Sequence, residues 1–195
     1  MEKLFAAAAL FGLLLWVWAE FFRAIPNLEQ VGVLKNFQLT TKEEIQGRFT
    51  VLDKRYYSAG HRLLHPAAPT VVGGFQDLAY VSNIDLLLSQ NQQSYQTLKQ
   101  QFEWTLDSRC FELKAKSSTS TSLAQTSEQL FNMSVIASTE AVANQIRRLK
   151  AGQQVQLQAE WVDVHSIKTG RAFNIAAARH GQHCRIYKIN AIRIL

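Results

Sequence analysis

The sequence has no glycine-rich phosphate loop and no nucleophile elbow. Its Gly73-Gly74 pair reads as a turn, so neither phosphate cradling nor serine acyl transfer has a local signature. Cysteine is scarce, with only Cys110 and Cys184 in 195 residues. Proline is equally scarce: Pro26 lies near the start, and Pro66 and Pro69 punctuate 61–74 with Gly73-Gly74, a stretch of turns and irregular chain. Charged residues make up 18% of the chain and hydrophobic residues 47%, which excludes wholesale disorder. The length suits one domain with a real core.

What charge there is lies unevenly. From Ala141 to Leu195 nine Lys or Arg stand against Glu160 and Asp163, a net +7, while the whole chain carries +6. A basic half suits an anionic neighbour such as lipid headgroups, nucleic acid or cell-wall polymer, but charges scattered along strands fit a solvated surface better. Arg147, Arg148, Lys150, Arg179 and Arg185 are the candidate binding cations.

Leu4 to Phe22 is apolar except for Glu20, a run of 19 residues. A bilayer core needs roughly 20. Trp16, Trp18, Phe21 and Phe22 crowd its end as an aromatic belt does. The expectation is an N-terminal transmembrane anchor over 1–23. A cleaved signal peptide ending near Val17-Trp-Ala19 is the alternative. Either places the remaining chain outside the cytoplasm. There Cys110 and Cys184 are candidates for a disulfide; two free thiols are the other reading.

The domain over 46–195, after a linker at 24–45, patterns mainly as strands. Gly152-Gln-Gln-Val155-Gln-Leu157-Gln-Ala159-Glu-Trp161 alternates with period two. After Trp161 the apolar positions shift to Val162 and Val164, which predicts a bulge or bend. Further strands are expected near 46–57, 102–113, 131–137, 173–178 and 184–194. Tyr95 and Leu98 are spaced as on a helix, and Ser117 to Ser122 reads as loop. Thr139 to Lys150 is the best-signalled helix after the N-terminal one. Ser138 or Thr139 can cap it, Val142, Ile146 and Leu149 share a face, and Gly152 can end it. The expected fold is α+β and β-dominated: a curved or barrel-like antiparallel sheet with one packed helix, preceded by a transmembrane helix.

The runs Leu149-Lys150-Ala-Gly152-Gln-Gln-Val155-Gln-Leu157 and Arg179-His-Gly181-Gln-His-Cys184 are accompanied upstream by Asp77-Leu-Ala79 and Ser89-Gln90. In this the chain resembles an uncharacterised family of bacterial exported or membrane-tethered domains, over about 49–195. Members tend to carry an Asn-His pair before the helix, where this chain has Asn132-Met133. The resemblance implies an exported single domain and brings no activity.

Three constellations could carry chemistry. His180, His183 and Cys184, with His165, offer zinc or copper ligands, at a spacing unlike a standard finger. A disulfide at Cys184 would remove that ligand. Asp77, Asp85, Asp107 and Glu112 could supply an acid–base pair. Tyr56, Tyr57, Trp104 and Trp161 could stack bases, or simply pack. No cofactor is expected. The reading that follows is a non-catalytic, membrane-anchored domain on the periplasmic side of a bacterial inner membrane, bound to a protein partner. The alternatives are a nucleic-acid or anionic-polymer binder using the basic half, and an envelope hydrolase or metal enzyme. A secreted or periplasmic product of signal cleavage is the alternative location.

Overall fold

A computed structural model describes residues 2–21, 24–58, 75–90, 93–107, 109–116, 122–173, 175 and 183–195. Helix α1 (Glu2–Phe21) comes first. Its side chains are described for Leu4 to Leu15 and Val17, and all twelve from Leu4 to Leu15 are exposed. Among the described residues no helix is long and apolar enough to cross a membrane.

The stretch 24–45 is not a linker. Ile25 sits in the main core, and Asn27 bridges Ala137. The one-turn helix α2 (Val33–Asn36) leads into β1 (Phe37–Tyr56), which starts nine residues earlier than the alternation suggested. A 3₁₀ turn (Phe75–Tyr80) precedes β2 (Ile84–Ser89). Next come α3 (Tyr95–Gln101), the hairpin β3 (Phe102–Asp107) and β4 (Cys110–Ala115), and α4 (Leu123–Glu128). The chain ends β5 (Leu130–Ala137), α5 (Glu140–Arg148), β6 (Gln154–Ser166) and β7 (His183–Ile194).

The β-dominated α+β class expected from the sequence is what forms. The sheet closes into a barrel in the order β1-β2-β5-β7-β6, with β6 pairing back onto β1. It is mixed rather than wholly antiparallel, because β5 and β7 run parallel. Counting barrel strands alone, the order is 1-2-3-5-4, with a helix between the third and fourth. That is the connectivity of a five-stranded OB-type barrel, with the β3–β4 hairpin inserted between the second and third strands.

Strand β1 is long enough to serve two neighbours. Phe37 to Thr50 pair with β6, and Thr50 to Tyr56 pair with β2. On β6 the buried face changes where the sequence says it should. Val155, Leu157 and Ala159 fill the barrel interior, while Val162 and Val164 join a second cluster on the outer face with Phe37, Ile136 and Ile186. The cause differs from the expected bulge in β6. The extra residues are in its neighbours, Lys42 of β1 and Asn190 of β7. Strand β6 keeps its period and passes from one core to the other.

Helix α5 plugs the barrel. The Thr139 side chain accepts from the Val142 amide, 3.2 Å away, as an N-cap. Val142, Ala143, Ile146 and Leu149 point into the interior cluster. Gly152 follows at φ +87°, a left-handed conformation that favours glycine, and its N–H donates to Val51 O. Arg147 is half-buried and its carbonyl accepts from Lys54 Nζ, whereas Arg148 is exposed. Ile146→Ala is expected to cost roughly 2–4 kcal/mol, a core truncation. Arg148→Ala should stay below ~0.5 kcal/mol. Urea denaturation of the two variants reads both, and equal losses would contradict this packing.

Candidate functional site

The OB-type barrel offers a familiar binding surface on the outer face of its second and third strands. Here that face belongs to β2 and β5. Asp85, Leu87 and Ser89 point out from β2, and Leu130, Asn132 and Ser134 from β5. All six are buried. The cover is the chain's own hairpin: Phe102, Leu106, Phe111 and Leu113 pack with Leu87, Leu98 and Leu130.

A buried polar centre fixes that cover. Arg109, in the β3–β4 connection, is 1% exposed and Asp85 is 0% exposed. Arg109 Nη1 donates to Asp85 Oδ1 at 3.1 Å, and Nη2 donates to the Ser82 carbonyl at 2.7 Å. Ser134 Oγ donates to the same Asp85 oxygen at 2.7 Å. Asn132 Nδ2 donates to the Arg109 carbonyl at 2.9 Å. The Arg109 guanidinium lies 4.0 Å from the centre of the Tyr57 ring. Arg109 itself sits at φ +66°, a conformation costing a non-glycine residue about 1–2 kcal/mol. Arg55 also donates to the Leu106 carbonyl of the hairpin.

Burial pushes the Asp85 carboxyl up; the Arg109 charge and hydrogen bonds from Ser134, Arg109 and Tyr57 pull it back. Burial and the neighbouring Asp85 charge raise the Tyr57 hydroxyl to about 12. A carboxylate so enclosed has no room for a substrate. Its physical effect is to hold the hairpin to the barrel.

The second fastening is covalent. Cys110 and Cys184 form a disulfide that ties the start of β4 to β7, with Cα atoms 5.4 Å apart. Cys184 is therefore no metal ligand and no nucleophile. His180 lies outside the described residues, as do His61 and His65, and the side chain of His183 is not described. His165 is half-buried on β6, opposite Gln38. Among the described residues no three His, Cys, Asp or Glu side chains gather as a metal site.

A second polar centre lies on the outer face of β6. Glu160 accepts from Thr41, from Asn190 and from Lys188 Nζ, the last at 2.8 Å. Partial burial raises its carboxyl, but these hydrogen bonds and the Lys188 charge outweigh that and hold it down at about 2. The bulge residue Asn190 shapes the adjoining cleft, about 360 Å³, lined also by Glu44, Gln46 and Gln158. A carboxylate ionised to so low a pH has no proton to donate near neutrality.

The remaining candidates are dispersed. Glu112 is exposed beside Lys114, Asp85 is locked away, and the side chains of Asp77 and Asp107 are not described. Tyr57 lies under Arg109, Trp104 packs near Tyr95 on the hairpin side, and Tyr56 and Trp161 pack against the barrel interior, so these four are engaged in packing within the domain. Arg185 stacks 3.8 Å over Trp161, with Glu43 at 4.0 Å, rather than joining Arg148 and Lys150 on the α5 side. Arg179 lies outside the described residues. The centre that sequence reasoning passed over is Asp85 with Arg109. Its signal was an acid inside the apolar run Ile84-Asp-Leu-Leu-Leu88.

Comparison with protein-family models, with curated proteins and with solved structures finds no match to this chain.

Proposed function

We propose that this chain is a membrane-anchored, extracytoplasmic accessory or binding domain of a bacterial envelope assembly, non-catalytic and engaged with a protein partner. The observation that carries the reading is α1. Its side chains from Leu4 to Leu15 are apolar and exposed on every side, Leu4 and Phe5 at 76% and Leu10 and Phe11 near 60%. A helix apolar all round belongs in a protein core or a bilayer. Second, the domain is stapled by a disulfide, the chemistry of an oxidising compartment. Third, the barrel face that would take an oligonucleotide is filled by the hairpin, which disfavours the nucleic-acid reading.

Topology tests it. A reporter active only after export, fused after Leu195, should be active, and the chain should stay with membranes through an alkaline wash. Activity from a cytoplasm-only reporter at the same point would overturn the reading. Release by the wash, with a mass starting near Glu20, would replace the anchor by a cleaved signal.

A further inference from the structure

We infer that the domain carries a second membrane contact, separate from α1, which rests on the surface of an anionic bilayer. Two segments build it. The Ile167 amide donates to the Asn36 carbonyl at 2.9 Å, so the turn after β6 lies against α2. That turn is well formed: the Gly170 amide donates to Ser166, Ser166 to Arg171, and Gly170 takes φ +65°. It holds out Ile167, 52% exposed. The α2 segment holds out Val31 and Leu34, 78% and 56% exposed. Lys35, Lys168 and Arg171 are exposed among them, and none enters an ion pair among the described residues. Of the nearest acids in sequence, Glu29 accepts from the Glu140 amide of α5 and Asp163 pairs with Lys42.

Three exposed large apolar side chains and three exposed cations on two adjoining segments match the chemistry of a headgroup layer, apolar just below and anionic at the surface. Beneath them the structure is firm, since Val33, Phe37, Val164 and Phe173 are buried in one cluster. The patch is thus displayed on a rigid base. Tethering favours it too. Val31 follows the end of α1 by ten residues, a reach of at most about 35 Å. On the proposed anchoring, on which this inference rests, the patch cannot leave the neighbourhood of the bilayer.

Hydrogen exchange of the full chain in lipid nanodiscs tests the contact. Amides of 31–36 and 166–171 should exchange several-fold more slowly in discs with about one-third phosphatidylglycerol than in pure phosphatidylcholine. The Lys35→Ser, Lys168→Ser, Arg171→Ser variant should lose that difference while keeping its melting temperature. Each cation near an anionic surface is worth about fivefold in local binding, so the triple change should abolish docking. Equal exchange in both lipids, or a difference that survives in the variant, overturns the inference. If α1 fails to insert, the anchoring proposal falls by itself. The full chain and the variant are then compared by co-sedimentation with vesicles of the same two compositions. Preferential pelleting of the unaltered chain with the anionic vesicles still supports the patch, and its absence overturns it.

Discussion

Arg109→Met should cost about 3–5 kcal/mol of folding stability, because it leaves the Asp85 charge buried without its partner. The substitution keeps side-chain length and does not alter the strain of the left-handed backbone, so the loss reports the missing guanidinium, its charge together with its hydrogen bond to the Ser82 carbonyl. The variant should also acquire a pH dependence. Burial already pushes the Asp85 carboxyl up, and removing Arg109 takes away the foremost influence holding it down. A carboxyl raised in the folded state contributes stability below its unfolded value of 3.8, and that stability is lost as pH climbs through the folded value. The deficit relative to the unaltered protein should therefore be larger at about pH 7 than at about pH 4. Pairing Arg109→Met with Asp85→Leu should recover most of the loss, since an apolar pair of similar volume often replaces a buried ion pair at little cost. Denaturant titrations with the disulfide intact read all three. A single variant within ~1 kcal/mol of the parent would mean that water reaches Asp85 and that the hairpin is not closed down.

The same centre marks the limit of what the sequence disclosed. Period-two alternation located β6 and its change of face, because each side chain's burial follows from strand geometry alone. Capping and spacing located α5. A barrel-like sheet was expected, but the strand order that closes it was beyond reach. The parallel pairing of β5 with β7 depends on a crossover through α5 and β6, and no local pattern encodes it. Strand β1 was cut short for a related reason. From Thr40 to Glu44 its side chains are polar and exposed, held as strand by pairing with β6 rather than by a buried face. The Asp85–Arg109 pair unites residues 24 apart, one on the barrel strand β2 and one in the turn of the hairpin. Each looked unremarkable alone: Asp85 like other carboxylates, Arg109 like one more cation. Only the hairpin's fold onto the barrel gives them a shared environment.

The disulfide should matter about as much. Cys110 and Cys184 are separated by 74 positions, and closing a loop of that size is worth about 4 kcal/mol on the chain-entropy model. Replacing both by Ser should bring a loss of that order, read by denaturation of oxidised parent and variant. Its more telling property is coupling. Arg109 and Cys110 are adjacent, and both fasten the hairpin to the barrel, one through β2 and the other through β7. Once either fastening goes, part of the hairpin's packing over Leu87 and Leu130 is already surrendered, so the second has less left to protect. Combining Arg109→Met with the two Ser substitutions should then cost less than the two changes added, by about 0.5–3 kcal/mol. Strict additivity would mean that the ion pair and the bridge secure different parts of the molecule, and the picture of one doubly fastened cover over the barrel face would fall.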